Sequence, residues 1–334
     1  MRYGVVGTGY WGKNHVRVAK ELLDDGRLDE VVICDVDESR VESLADTYDL
    51  PYVTDVDDLD VDAATVATPS TTHPAIGDAM LNRGIDLLVE KPLALTSEEA
   101  WELVTTAEDN DCTLGVGHIF RYHPALRALK RRIDRGELGR IKYLQTRRFS
   151  FRVPRTTTGV VYSLAVHDVD IYDYLLDSRP DTVHGQLDSF VREGITETAT
   201  ITLGYGDTTG VVNSSWQIPV FDKTRDLVVV GSNRSAYIDY LENTKLELFD
   251  AEVFSDPHDG LNSRNDGSIT HTAEEREPLK FEVESFVEAS ENGTQPPASG
   301  AVGARAVETL ERVERSDAED IVVDVEQPPM VQQP

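Results

Sequence analysis

The residues best suited to chemistry lie at the end of the run Ile85-Asp86-Leu87-Leu88-Val89-Glu90-Lys91-Pro92, which is apolar until it closes in an acid, a base and a proline. Following Asn82-Arg83-Gly84, the run reads as a buried parallel strand, since such strands are covered on both faces and need not alternate. Ligands of open α/β sheets sit outside the carboxyl ends of the strands, so Lys91 is placed for chemistry. Taken alone, a lysine after a strand is most often a solvated loop charge. A second feature gives it a context. Residues Arg2 to Val6 form a short strand, Gly7-Thr8-Gly9-Tyr10-Trp11-Gly12 follows, and Val16, Ala19, Leu22 and Leu23 then mark one apolar face of a helix. This is a dinucleotide fingerprint in its required setting of strand, glycine turn and helix. Gly7 permits the turn, Gly9 lets the backbone approach a pyrophosphate, and Gly12 lets the helix pack on the strand. The helix N-terminus favours the negative charge of the diphosphate.

Asp35 stands at the end of the next strand, Glu30 to Cys34. A carboxylate there accepts hydrogen bonds from the adenosine ribose and repels a 2′-phosphate, which favours NAD over NADP. Arg40 is placed to turn back onto a 2′-phosphate, or else is a solvated charge on the helix Glu38 to Tyr48. Thr68-Pro69-Ser70-Thr71-Thr72-His73 caps the fourth strand where a ribose or nicotinamide would pass; as a helix N-cap alone it needs no ligand.

Composition bounds the answer. A chain of 334 residues, 40% of them hydrophobic, forms two domains more readily than one. No run of eighteen apolar residues occurs and the sequence enters a strand at once, so neither a membrane span nor a signal peptide is expected, and a cytoplasmic location is. Cys34 and Cys112, beside buried strands, suit free thiols. Asp plus Glu number 61 against 32 Lys plus Arg, a net charge of −29, and eight of the basic residues are lysine. Such a surface repels nucleic acid and anionic membrane. Because the excess is spread along the chain, it points to a salt-rich cytosol, where ions screen the self-repulsion.

The elements alternate to residue 116: a strand near Tyr52, a strand Ala63 to Ala67, a helix from Pro74 to Asn82, the strand ending at Lys91, a helix Ser97 to Asp109 and a strand Thr113 to Val116. That order predicts a doubly wound parallel sheet over residues 1–120. The pattern then changes. A helix Pro124 to Arg135, a strand Arg140 to Phe151 and a helix Ser163 to Leu176 precede six aromatic-containing runs between Thr182 and Phe249. Residues 121–326 therefore form a second α/β domain with a large, mostly antiparallel open sheet. Residues 255 to 277, rich in Asp, Asn, Ser and Gly, read as a mobile surface loop. Helices Leu279 to Ser290 and Gly303 to Arg315 follow, and 327–334 reads as a disordered tail.

In this order of motifs the chain resembles the Gfo/Idh/MocA oxidoreductases. The resemblance rests on Gly7-Thr8-Gly9-Tyr10-Trp11-Gly12, Ala67-Thr68-Pro69 with His73, Glu90-Lys91-Pro92 and His167-Asp168-Val169-Asp170. It implies a Rossmann domain, a second domain whose open sheet makes dimer or tetramer contacts, a cis Lys91–Pro92 bond, and Lys91 beside a nicotinamide. Polyol-oxidising members carry an aspartate four residues before the histidine; here that residue is Ser163, and Ala165 stands where a glycine is usual.

Oxidising a secondary alcohol with NAD needs a cation for the developing alkoxide and a group that takes the hydroxyl proton. Lys91 suits the first role and His167 the second, with Asp170 one helical turn on to orient the imidazole. Beside Tyr162, His167 is alternatively a half-buried packing residue. His118 and His123 are five apart and share no helix face, so no metal site follows, and His15, His184, His258 and His271 show no evident partner. The segment Gly117-His118-Ile119-Phe120-Arg121-Tyr122-His123-Pro124-Ala125 is similar to that of the UDP-N-acetylglucosamine 3-dehydrogenase group, which implies substrate contacts from His118, Arg121 and Tyr122. Arg147, Arg148, Arg152 and Arg155 form a basic cluster that suits a diphosphate, or else balances neighbouring carboxylates. The expected reaction is NAD-dependent oxidation of a nucleotide-sugar hydroxyl; inositol or a free sugar as substrate, and an NAD-binding sensor without turnover, are the alternatives.

Overall fold

The computed structural model describes residues 1–154, 158–220, 222–256 and 260–325. Arg155, His258 and the acidic-to-polar tail from 326 onward lie outside the described residues. The chain forms two units, Met1–Tyr122 with Glu277–Glu308, and His123–Arg276 with Thr309–Pro334.

In the first unit, strands β1 (Arg2–Val6), β2 (Glu30–Cys34), β3 (Tyr52–Val53), β4 (Ala63–Val66), β5 (Asp86–Val89) and β6 (Leu114–Val116) form one sheet in the order β3-β2-β1-β4-β5-β6. Every pairing in it is parallel. The order reverses between β1 and β4, so the carboxyl ends of these two strands flank the crevice where ligands of doubly wound sheets bind. All of β4 is buried and β1 is buried from its second residue, the pattern of strands covered on both faces. Helices α1 (Gly12–Asp24), α2 (Glu38–Tyr48), α3 (His73–Leu81) and α4 (Ser97–Asp109) alternate with the strands.

The sequence reading ends this domain at residue 120, yet Glu277–Glu308 returns to it. Helix α7 (Pro278–Glu291) places Leu279, Val283, Phe286 and Val287 in the same core as Val5, Val16, Leu22 and Ile33. The Phe286 ring meets Tyr3 edge-on, centroids 6.4 Å apart, and the Ser290 hydroxyl donates to Asp86 at the start of β5. Full burial of a side chain of this size contributes about 1.5–3 kcal/mol. Local periodicity identifies α7 as amphipathic but carries no information on which core its apolar face enters.

The second unit holds β7 (Ile141–Ser150), β8 (Thr182–Asp188), β9 (Thr198–Tyr205), β10 (Thr208–Ser215), β11 (Lys223–Gly231), β12 (Ser235–Asp239), β13 (Lys245–Asp256), β14 (Gly260–Thr272) and β15 (Val323–Asp324). They form a nine-stranded sheet, β14-β13-β12-β11-β7-β10-β9-β8-β15, antiparallel except where β10 runs parallel to β7. Burial alternates along β9 and β12, as expected of strands with one face on a core. Helices α5 (Pro124–Asp134) and α6 (Val166–Leu176) belong to this unit.

Within the mobile loop read over 255–277, residues 260–272 are a strand instead: β14 pairs antiparallel with β13 from Gly260 to Thr272. Its side chains are exposed almost throughout, so no burial alternation marks it in the sequence. Backbone pairing and cross-strand charges hold it, including Arg264 on Asp250 at 2.9 Å. The helix expected from Ser163 begins as a π-helical turn, Val161–Ala165, that leads into α6. Among the described residues no helix is long and apolar enough to cross a membrane.

Candidate functional site

The glycine turn between β1 and α1 is shaped by backbone contacts. Gly7 has φ of +90°, and a Cβ on it would meet the carbonyl of Ala67 at 2.8 Å. A Cβ on Gly12 would fall 1.8 Å from the Gly7 oxygen, whereas one on Gly9 would meet nothing within 4 Å. Gly7 and Gly12 are therefore demanded by the turn itself, and Gly9 leaves open space in front of it. Trp11, at the N-cap of α1, makes no side-chain cap, and the first turn of α1 holds no acid. The Lys13 and Asn14 amides are turned to the Gly9 and Trp11 carbonyls at 3.2 and 2.9 Å, and the positive end of the helix dipole favours an anion there. Thr8 is buried, while Tyr10 is largely exposed with Lys13 Nζ 5.5 Å from its ring.

Asp35, at the end of β2, is buried. Its Oδ2 accepts the Thr8 amide at 2.7 Å and the Thr8 hydroxyl at 2.8 Å, and its Oδ1 accepts the Asp37 amide at 3.0 Å. The Arg40 guanidinium lies 3.2 Å from Asp35 Oδ2 and 2.8 Å from Asp37 Oδ2. Burial pushes the Asp35 carboxyl upward, but these hydrogen bonds and the Arg40 charge outweigh it and hold the group below the usual carboxylate range. A cleft of about 560 Å³ opens here, lined among others by Gly7, Gly9, Asp35, Arg40, Thr68 and Pro69.

At the end of β5, Lys91 is partly buried and its bond to Pro92 is cis. Glu90 does more than end the strand. Its Oε1 accepts the Trp11 indole N–H and lies 2.8 Å from His15 Nε2, and its Oε2 accepts the Lys91 amide at 3.2 Å. Burial alone would raise the Glu90 pKa; the His15 hydrogen bond, the Lys91 charge and the Trp11 hydrogen bond reverse this and lower it. His15 thus has the partner that the sequence did not reveal. Trp11 and His15 are four apart on α1 and face one way, a spacing that was there to be read. His73 is buried, with Nδ1 2.9 Å from the Pro92 carbonyl and Nε2 3.0 Å from the Thr68 carbonyl. Its ring nitrogens are thus turned to backbone.

The residues expected to meet substrate belong to both units. His118 is buried in the first unit. Tyr122, 1% exposed, is a core residue stacked edge-on against Phe281 at 5.5 Å. Arg121 donates to the Pro297 carbonyl at 3.0 Å. In the second unit, Arg147 forms a two-pronged pair with Asp226. Arg148 is buried, with Nε 2.8 Å from both oxygens of Asp168, a carboxyl that burial pushes up to about 6 against the pull of Arg148. Of the two readings left open for the arginine cluster, Arg147 and Arg148 follow the second: they balance carboxylates. Arg152 is exposed, its guanidinium 5.8 Å from the Trp216 ring centre, and Arg155 lies outside the described residues. On α6, His167 is 9% exposed and Asp170 is buried on the same side of the helix. Ser163 Oγ lies 3.1 Å from Thr158 Oγ1.

Comparison with known families resolves what this arrangement is. Residues 1–118 match the model for the oxidoreductase family with an NAD-binding Rossmann fold, and residues 126–237 match the GFO/IDH/MocA C-terminal domain. The chain belongs to the Gfo/Idh/MocA oxidoreductase family. Members of this family are NAD-dependent enzymes that act on CH–OH groups. Among the relatives of this Gfo/Idh/MocA chain is a UDP-N-acetylglucosamine 3-dehydrogenase from Acidithiobacillus ferrooxidans, 28% identical over 92% of this chain and 94% of that one. An inositol 2-dehydrogenase from Rhizobium meliloti is 24% identical over 96% of this chain and 97% of its own length. The solved structure of the Acidithiobacillus ferrooxidans enzyme superposes with a TM-score of 0.80 at 25% identity, covering 95% of this chain and 98% of that one. A levoglucosan dehydrogenase complexed with NADH and levoglucosan shares the fold, with a TM-score of 0.83 at 20% identity, over 98% of this chain and 100% of that one. The geometry fits the dinucleotide that the Gfo/Idh/MocA Rossmann domain binds: an open approach at Gly9, an uncapped helix end for the diphosphate, and Asp35 in the adjoining cleft.

Proposed function

We propose that this oxidoreductase oxidises a secondary alcohol of a nucleotide sugar, the 3-hydroxyl of UDP-N-acetylglucosamine or a close analogue, the carbon giving up hydride and the hydroxyl its proton. The observation that carries this reading is the likeness to the UDP-N-acetylglucosamine 3-dehydrogenase along nearly the whole of both chains. NAD, when bound, supplies the hydride acceptor, held by Gly7, Thr8, Gly9, Tyr10, Trp11 and Gly12 at the diphosphate and by Asp35 at the ribose. With Arg40 drawn onto Asp35 and Asp37, a 2′-phosphate would meet two carboxylates, which supports NAD over NADP. The Lys91 ammonium stabilises the developing alkoxide, His167 takes the hydroxyl proton, and Asp170 steadies the imidazole. With Ser163 where polyol-oxidising relatives carry an acid, the proton leaves His167 without an aspartate four residues before it.

A second reading has an observation in its favour. With Arg147 and Arg148 committed to carboxylates, Arg152 is left as the described arginine of that group for a diphosphate, and a smaller substrate such as inositol or a free sugar needs none. The acid excess supports a protein adapted to a salt-rich cytosol, and the open sheet supports a homodimer or homotetramer; chromatographic sizing in high and low salt tests both.

The deciding measurement is NADH absorbance on mixing the protein with NAD, in concentrated salt, and a panel of UDP-sugars, inositol and free sugars. Turnover of a UDP-sugar in preference to the rest supports the first reading. Preference for inositol or a free sugar supports the second, and tight NAD binding without any turnover points to a sensor. Lys91→Ala and His167→Ala should each abolish turnover while NAD affinity stays within about threefold; an active Lys91→Ala protein overturns the assignment.

A further inference from the structure

The residue that the mechanism leaves without a task is His73. It opens α3, is 1% exposed, and faces two backbone carbonyls rather than a ligand. One carbonyl, of Thr68, belongs to the segment after β4 that lines the cofactor cleft; the other, of Pro92, is one residue beyond Lys91. Burial lowers the pKa of the imidazole, while the two carbonyls and the Glu90 charge work against that lowering. Because both acceptors are carbonyl oxygens, a neutral ring donates to one and an imidazolium to both. In either state the ring sits between two segments that leave neighbouring strands: β4 and β5 pair as far as Val66 and Val89, and the Glu90 amide donates to the Val66 carbonyl at 2.9 Å. His73 faces both chains just beyond that pairing. On the opposite flank of Lys91, Glu90 Oε2 accepts the Lys91 amide, so buried polar side chains hold the backbone on both sides of the lysine.

We infer that His73 is a positioning residue for Lys91: its buried ring, lodged between the Pro92 and Thr68 carbonyls and donating to one of them, fixes the backbone beyond β5 so that the lysine keeps its place relative to the cofactor cleft. This departs from a direct cofactor contact by His73, and it rests on the reading of Lys91 as the reacting cation. A lysine displaced by an ångström loses most of its effect on the reaction, since misplacement on that scale costs about 100-fold in rate. Substrate and cofactor still bind. The signature is therefore a fall in kcat with KM and NADH affinity nearly unchanged, accompanied by a looser backbone around residue 91.

The test compares His73→Ala, His73→Gln and Lys91→Ala by three measurements: NADH affinity from fluorescence titration, amide hydrogen exchange of the peptide spanning residues 86–94, and turnover with the sugar that the unaltered protein oxidises. For His73→Ala we expect kcat to fall about 100-fold, with KM and NADH affinity within about threefold. Exchange at the Lys91 and Leu93 amides should rise at least about tenfold as the local opening becomes easier. Glutamine, which reaches one carbonyl with its NH₂ group, should recover part of the rate. Unchanged exchange in this peptide overturns the inference whatever the turnover. Equal losses of NADH affinity and kcat also overturn it, assigning His73 to the cofactor. A normal kcat in His73→Ala beside an inactive Lys91→Ala rejects the positioning role alone, whereas an active Lys91→Ala rejects that role together with the lysine's assignment. Should the alanine variant not fold, His73→Gln is read in the same way, with a wild-type kcat and exchange rate counting against the positioning role.

Discussion

His15 Nε2 lies 2.8 Å from Glu90 Oε1, and both side chains are buried. The pair joins the first turns of α1 to the carboxyl end of β5, 75 residues apart in sequence. The cofactor turn and the strand that carries Lys91 are thereby fastened together on one carboxylate, which also receives the Trp11 indole.

Removing that carboxylate leaves His15 without its acceptor or donor in a buried setting, a situation that costs about 1–3 kcal/mol per group. Glu90→Ala should accordingly lose about 2–4 kcal/mol in urea unfolding, and Glu90→Gln, which retains an acceptor for Trp11, about 1 kcal/mol. A Glu90→Ala variant as stable as the parent would show that the pair holds nothing.

The glycines of the turn should separate in their effects. At Gly12 an added Cβ collides with the Gly7 carbonyl oxygen at 1.8 Å, so Gly12→Ala should destabilise the first unit by at least about 3 kcal/mol. At Gly9 an added Cβ meets no protein atom within 4 Å, so Gly9→Ala should unfold at the parent's temperature while binding NADH at least about tenfold more weakly. Paired thermal melts and NADH titrations check this. Equal behaviour of the two variants would contradict the division between turn geometry and ligand approach.

His123 should make the second unit sensitive to acid. It caps α5, its Nδ1 accepting the Leu126 amide at 3.4 Å, a role open only to the neutral ring. Burial, reinforced by the Arg148 charge and opposed by a hydrogen bond to the Asn243 side chain, pushes its pKa down from 6.5 to about 4. The folded value is depressed for a base, so the unfolded chain takes up the proton first. Stability is fully present above 6.5 and is lost as the pH falls to about 4, by on the order of 3 kcal/mol. His123→Asn keeps a capping side chain and removes the titration. Its unfolding free energy should decline less than the parent's over this window, as measured by urea melts at three or four pH values, and parallel declines would refute the assignment.

Much of the first unit is legible in the sequence because its signals are local. The Gly7 to Gly12 turn, the aspartate at the end of β2 and the apolar run ending at Lys91 each depend on neighbours within a few residues, and the parallel, doubly wound sheet follows from the alternation of strands with helices. The parts that escape sequence reading depend on distant partners. Nothing beside Arg148 announces that Asp168 lies against it, since the two are 20 residues apart on a strand and a helix, and Tyr122 looks like a site aromatic until Phe281 arrives from beyond residue 277. Strand β14 escapes for the opposite reason: with both faces in solvent, it leaves no periodic trace of burial.

The return of Glu277–Glu308 to the first unit bears on how the molecule is made. Emerging from a ribosome, the cofactor-binding half has its glycine turn, its parallel strands and Lys91 within the first 122 residues, but Leu279, Val283, Phe286 and Val287 are still to be synthesised. Until about 150 further residues have followed, the face that α7 covers stays open to water, and a chain interrupted after the second sheet would carry every motif of the fingerprint on a half whose core is unfinished.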